Sequence, residues 1–284
     1  MTRNKLLLRE KANIEQYQNR NNEASVDAIM QLYGRIPDVG GVYKSLFRYR
    51  SLNKYEVESL RNGTIFMRWP SSYDDDEDCT PVFDYEEITK YIIQNKYPGF
   101  DAQKLIDRFV DYQDLRNNSR VLKKIKDMRN MWMISCFTER YNNKRMWLEY
   151  ADAHKGICLV YSFKVILDLI KGTDGMSIMP VRYVEDRNTD QIIIMNHRDL
   201  LEDLDETDAK YHLTCTTKDR LKYSFEEEWR LILEKEIEND TLIGDNIPFI
   251  DPLVIICGGM MDKASKEYQE LVDIATSKGI KMIG

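Results

Sequence analysis

Four spacings in this sequence are suited to chemistry. In Phe225-Glu226-Glu227-Glu228-Trp229-Arg230-Leu231, an extended chain puts Glu226, Glu228 and Arg230 on one face and Phe225, Glu227, Trp229 and Leu231 on the other. Two carboxylates beside a guanidinium are driven apart in pKa, one lowered and one raised. That suits acid/base work or a grip on sugar hydroxyls; a cross-strand charge ladder on a wet face would use the same residues. Upstream, Tyr73 precedes five consecutive acids, Asp74, Asp75, Asp76, Glu77 and Asp78, followed by Cys79. Like charges this close need solvent, a cation or basic side chains. The run therefore reads as a hard-cation or cationic-substrate site, or as a solvated loop, and it lacks the spaced pattern of a calcium loop. Third, helical spacing over 146–156 gathers Met146, Trp147 and Tyr150 before Gly156 stops the helix. Glu149 and His154 facing a cleft would form an acid/base pair; a core-packing helix with His154 near its C-terminal end is the alternative. Finally, Arg48 and Arg50 alternate with Phe47 and Tyr49, a fork for phosphate or carboxylate, or a salt partner for the acidic run.

These groups need a scaffold. Strands are predicted over 43–49, 64–69, 132–137, 156–163, 179–184 and 225–233, where β-branched and aromatic residues cluster. A short helix capped by Ser51 and closed by Asn62-Gly63 separates the first two. The region 86–132 reads as helical, with Leu105, Phe109 and Tyr112 on one stretch. Its last part carries Arg116, Arg120, Lys123, Lys124, Lys126 and Arg129 as a basic face. Helices are expected over 145–153 and 192–213, and the chain closes with strand, Gly258-Gly259, helix and strand. Interleaved elements without a linker predict one α+β domain with a split, antiparallel-rich sheet and flanking helices. Residues 1–42 read as a polar N-terminal helical extension.

The chain has 284 residues, 43% hydrophobic and 31% charged, enough for a sizeable core. Its formal charge of -7 excludes a globally basic nucleic-acid coat. Yet the acids are concentrated in the run at 74–78 and in 199–208, so the rest is net basic and a local phosphate-binding face stays open. No apolar run approaches the roughly 20 residues of a membrane span, and Leu6-Leu7-Leu8 is too short for a signal-peptide core. Five scattered cysteines, none in a CxxC pair, read as small buried hydrophobes, and the three histidines lack any local zinc spacing. A cytoplasmic protein is expected.

Together the segments resemble a bacterial family of unknown function, DUF2971. Its members carry an aromatic-Lys/Arg-aromatic strand, an Asn-Gly turn, an acidic Phe-Asn-Asp-Pro-Phe-Asp-Cys motif and a Cys-Phe-Ser strand. A Met-Trp-x-x-Tyr-Ala-x-x-His-x-Gly segment and a late Glu-x-Glu-x-Arg follow. The counterparts here are Phe47-Arg48-Tyr49, Asn62-Gly63, Tyr73 through Cys79, Cys136-Phe137-Thr138, Met146 through Gly156, and Glu226-x-Glu228-x-Arg230. Asp74, Asp76 and Glu77 replace the usual Asn, Pro and Phe of the acidic motif. The resemblance starts near residue 43, dividing the chain into an extension, 1–42, and a domain, 43–284.

The layout is in turn similar to ADP-ribosyltransferase-type folds, which implies NAD as the cofactor. The resemblance implies Arg48 or Arg50 gripping NAD, Tyr73 stacking on nicotinamide, and Glu226 or Glu228 supporting the positive charge of the reacting ribose. The candidates are then Glu226, Glu228 and His154 for catalysis and Arg48, Arg50, Tyr73 and Arg230 for NAD. Asp75, Asp78, Trp147 and Tyr150 are the candidates for substrate contact. The expected function is an NAD-using ADP-ribosyltransferase or glycohydrolase, in a toxin or phage-defence setting. Two alternatives stay open. One is a nucleotide- or nucleic-acid-binding module using Arg116, Arg120, Lys123 and Lys124. The other is a hydrolase or nuclease holding Mg²⁺ on Asp75, Asp78 and the Glu226/Glu228 pair, with His154 as base.

Overall fold

Alternating aromatic and basic side chains extend Ser45–Arg50 as strand β1, and the helix that follows is locally determined. Asn53, not Ser51, caps it: the Asn53 Oδ1 accepts from the backbone N–H groups of Tyr55 and Glu56, both at 3.0 Å. Helix α1 (Lys54–Asn62) ends on Gly63 in the left-handed conformation, φ 63°. A computed structural model describes residues 5–7, 9–10, 44–99, 101–109, 115–202, 205–235 and 243–284. The expected extension over 1–42 lies outside them except for 5–7 and 9–10, which are helical; Tyr112 also lies outside.

After α1 come Thr64–Arg68 (β2), Val82–Phe83 (β3), Tyr85–Lys96 (α2), Ala102–Phe109 (α3), Ser119–Arg129 (α4), Trp132–Thr138 (β4) and Lys144–Glu149 (α5). Ile157–Ser162 (β5), Phe163–Lys171 (α6), Met176–Pro180 (β6), Arg182–Val184 (β7), Ile194–Met195 (β8), His197–Leu201 (α7) and Asp205–Thr214 (α8) follow. The chain ends through Thr217–Asp219 (β9), Arg220–Tyr223 (α9), Glu228–Glu234 (β10), Gly244–Pro248 (β11), Val254–Cys257 (β12), Lys266–Lys278 (α10) and Lys281–Ile283 (β13). The architecture is α+β, as expected: helices flank a mixed, largely antiparallel sheet. No helix among the described residues is long and apolar enough to cross a membrane.

The sheet is forked. Strand β10 pairs with β4 along seven consecutive residues, from Glu228 opposite Thr138 to Glu234 opposite Trp132, and so fills one edge of β4. The other edge takes two strands, β1 at Thr138 (opposite Phe47) and β2 at Ile134 (opposite Arg68). Between these positions β1 and β2 diverge. Arg48 spans the gap from β1, donating from Nη2 to the Phe66 carbonyl of β2 at 3.1 Å. A side chain thus replaces ladder bonds that the divergence removes.

Period-2 alternation sends the two faces to different partners. Leu46, Ile65, Met67, Met133, Trp229 and Leu231 meet α1, α6 and α10 through Val57, Ile166, Leu271 and Ile274 in the main core. The other face carries two smaller clusters. Phe47, Tyr49 and Val160 pack with Met146 and Trp147, while Ile134 and Ile232 pack with Ile88, Met128 and Tyr211. Each such aliphatic side chain stabilises the fold by about 1.5–3 kcal/mol through burial.

Several boundaries differ from the sequence reading, each for a local reason. The helix predicted over 192–213 is broken by β8 and restarts at a capping box between Asn196 and Asp199. The strand predicted over 179–184 is two, β6 pairing with β10 and β7 with β9. The helix predicted over 145–153 stops at Glu149, because Asp152, Ala153 and His154 all take positive φ. The turn feeds β5 through Gly156, where an added β-carbon would lie 2.2 Å from the Arg50 carbonyl oxygen. The strand predicted over 225–233 begins at Glu228, since Glu227 has φ 43°.

Candidate active site

A cavity of about 480 Å³ opens at the fork, between the two smaller apolar clusters. Strands β1 and β2 contribute Phe47, Tyr49, Phe66 and Arg68, β4 contributes Cys136 and Thr138, and β10 contributes Glu228. Glu226 enters from just before β10, Lys218 from β9, Tyr73 and Asp78 from the loop after β2, and Tyr150 from the end of α5. The volume is in the range of small-molecule sites, about 300–1,000 Å³.

One lysine joins the two glutamates. The Lys218 Nζ lies 2.8 Å from an oxygen of Glu226, 2.8 Å from one of Glu228, and 3.8 Å from Asp78. Beneath them Arg230, wholly buried, donates from Nε to Glu228 at 2.9 Å and from Nη2 to both oxygens of Asp78 at 2.9 and 2.8 Å. Its Nη1 reaches the Cys215 carbonyl at 2.6 Å and the Cys79 sulfur at 2.9 Å. Such a buried network persists only because each charge is paired and hydrogen-bonded.

The network shifts the two glutamates' proton affinities in opposite directions. Burial raises the Glu228 carboxyl, but Arg230 and then Lys218 outweigh it and hold it at about 2. Asp78 is likewise lowered, burial being overcome by Arg230 and Lys218. Glu226 goes the other way: burial, with the like charge of Glu228, raises it despite Lys218 and the Tyr150 hydroxyl, which donates to it at 2.6 Å. Lys218 stays an ammonium, because Glu228, Asp78 and Glu226 outweigh the lowering effect of burial. Cys136 faces the cavity, yet the enclosing protein and then Glu228 push its thiol up, which keeps it protonated and a poor nucleophile.

Most of the sequence candidates converge. Arg48, Arg50, Tyr73, Asp78, Tyr150, Glu226 and Glu228 line the cavity and Arg230 lies beneath it. Arg48 and Arg50 are both engaged by the buried Glu56 of α1, rather than by the acidic run, at 3.5 and 2.7 Å. Asp75 is exposed and accepts from the Tyr223 hydroxyl at 2.9 Å, away from the cavity. Trp147 and His154 are also outside the lining. Their rings stack at 5.7 Å, and the Trp147 indole N–H donates to the Tyr141 carbonyl at 2.9 Å. The left-handed turn at 152–154 folds His154 back onto that ring.

Arg68, Lys218, Cys136 and Thr138 were not identified as site residues from the sequence. Arg68 had a usable signal, sharing the alternation of its strand with Phe66; its guanidinium donates to Ser72 and has no carboxylate partner among the described residues. Two of the three remaining acids of the run are met by basic side chains: Lys222 lies 3.1 Å from Glu77 and Arg129 3.9 Å from Asp76. No group of three or more His, Cys, Asp and Glu arranged for a metal is found among the described residues. The Lys218 ammonium occupies the position from which an ion would bridge Glu226 and Glu228. On α4, Arg120 and Lys123 are exposed and Lys123 pairs with Asp127 at 2.6 Å; Arg116, just before α4, lies over the Tyr85 ring at 5.1 Å. Arg129 leaves the expected basic face and donates inward to the Pro70 carbonyl at 2.7 Å.

Residues 146–231 match a family model described as a protein of unknown function, DUF2971. The match takes in both the segment from Met146 to Gly156 and the Glu226-x-Glu228-x-Arg230 spacing. No curated protein and no solved structure matches the chain.

Proposed function

We propose that this DUF2971 protein is an NAD-using enzyme acting on an N-glycosidic bond, as a glycohydrolase or ADP-ribosyltransferase. The observation that carries this reading is the pair of glutamates held by one lysine, with the proton affinity of Glu226 raised and that of Glu228 lowered, since divergent pKa values mark divided acid/base roles. Glu228, kept ionised, faces the positive charge that grows on the ribose carbon as its bond to nicotinamide breaks. The bond pair leaves with the nicotinamide nitrogen, and a water or acceptor hydroxyl oxygen bonds the ribose carbon. Glu226, with its raised affinity for protons, receives the proton from that oxygen. Arg68 is the cation for a phosphate, and the half-buried Phe66 and Tyr73 offer aromatic surface.

Purified full-length chain incubated with NAD should release nicotinamide, read by chromatography, or label a protein acceptor. Neither product, together with no heat on titrating NAD in a calorimeter, would sink the reading. Arg68→Gln should weaken ADP-ribose binding about 10- to 100-fold, the equivalent of one charge-assisted contact of about 1.5–3 kcal/mol. Because Arg68 is only half-buried, the melting temperature should hold. Calorimetry with both proteins checks it, and an unchanged Kd would remove Arg68 from the site.

A further inference from the structure

We infer that Arg9, assisted by Lys5, is a positioning residue for the Glu226–Glu228 pair, reaching it from outside the matched stretch. Between the two glutamates, Glu227 holds φ 43°, a left-handed conformation that is unfavourable for a residue with a β-carbon. Something must hold that turn. Arg9 has no exposed surface, and its guanidinium donates to the carbonyl of Glu227 at 2.9 Å and to that of Glu228 at 2.7 Å. It also donates to the Val181 carbonyl at 3.2 Å and to the Glu139 carboxylate. The Glu139 carboxylate in turn accepts from the Trp229 indole N–H at 2.8 Å and pairs with Lys5 at 2.6 Å. Lys5 and Arg140 both pair with the Glu227 side chain.

The clamp therefore takes both carbonyls and the carboxylate of the turn, and fixes the direction in which the chain enters β10. Without Arg9, the carbonyls of Glu227 and Glu228 fall back on the backbone N–H groups of Glu139, at 3.3 Å, and Val181, at 2.9 Å, and an extended Glu227 competes with the observed turn. An extended chain there would carry Glu226 away from Lys218 and Tyr150 while Glu228 stays anchored by Arg230. The groups facing the pair are Lys218, Arg230, Asp78, Tyr150, Cys136, Arg145 and Tyr183; Arg9 touches Tyr183, lying 5.8 Å from the centre of its ring, and the Tyr183 hydroxyl accepts from the Glu228 N–H at 2.9 Å.

The test compares wild type, Arg9→Met, Arg9→Lys and Lys5→Met as full chains. The first readout is the ¹³C-carboxyl titration of Glu226 and Glu228, assigned with Glu226→Gln and Glu228→Gln. Arg9→Met should narrow the separation of the two midpoints by at least about half a pH unit, with partial recovery in Arg9→Lys. Only the second readout rests on the proposed reaction: kcat for NAD should fall about tenfold with KM nearly unchanged. A folded Arg9→Met protein that titrates as wild type overturns the inference. If Arg9→Met does not fold, Lys5→Met must show a smaller shift in the same direction, and no shift overturns it equally. If wild type does not turn over NAD, the titration decides alone and the functional reading falls separately.

Discussion

Arg230→Met is expected to destabilise the fold by about 3–5 kcal/mol, a large part of the roughly 5–15 kcal/mol that holds a domain together. Arg230 has no exposed surface and is the direct partner of Asp78, Glu228, the Cys79 sulfur and the Cys215 carbonyl. Removing it leaves Asp78 and Glu228 sharing only Lys218, in a site already shielded from water. Methionine fills much of the volume, so the loss reports on charge more than on packing. Urea unfolding of the two proteins measures it, and a loss below about 1 kcal/mol would mean the network is energetically idle. Adding Asp78→Asn and Glu228→Gln to Arg230→Met should recover part of the loss, because it removes the orphaned charges as well.

The pH dependence has a definite sign. Glu228 is lowered from its ordinary 4.5 to about 2, so its contribution is full above about pH 4.5 and is lost as pH falls toward 2. Glu226 is raised, and its contribution runs the other way: full below its ordinary value and lost as pH rises through the raised one. The acid-side loss should be blunted in Arg230→Met, since Arg230 is the main group holding Glu228 low.

Glu228→Gln is expected to lower kcat for NAD about 10²- to 10³-fold while ADP-ribose still binds, the usual scale for removing one group aimed at transition-state charge. Glutamine keeps the shape and can still meet Lys218 or Arg230 through one atom, but it carries no charge toward the ribose. Glu228→Asp separates charge from position: recovery of part of the rate would place the effect in the charge itself. Single-turnover nicotinamide release, with melting curves for each variant, makes the measurement. A Glu228→Gln protein that is folded and turns over NAD at the wild-type rate would remove Glu228 from the chemistry.

The strands of the site were legible because aromatic and β-branched runs alternate cleanly, and Glu226, Glu228 and Arg230 do point to one place. They do so for a reason alternation does not contain. Glu226 precedes the strand, and a left-handed residue redirects the chain between it and Glu228. His154 lies outside the cavity lining because the chain leaves the helix through three positive-φ residues that no glycine announces. Lys218 was invisible for another reason. It sits on a three-residue strand whose place is set by parallel pairing with β7, a long-range contact without a local pattern. Arg9 lies still further from its partners, in a polar segment that reads as an appendage.

That distance has a consequence for how the molecule is made. Arg9 meets Glu228 across 219 positions of sequence, and Asp78 meets Arg230 across 152. Helices such as α1 need only their own residues, but closing these loops costs entropy that the final contacts must repay. A chain emerging N-terminus first has its arginine clamp, its fork and its acidic loop long before the strand they are to hold. The glutamate pair is therefore assembled only once residues 226–230 have followed the clamp and the loop out of the ribosome.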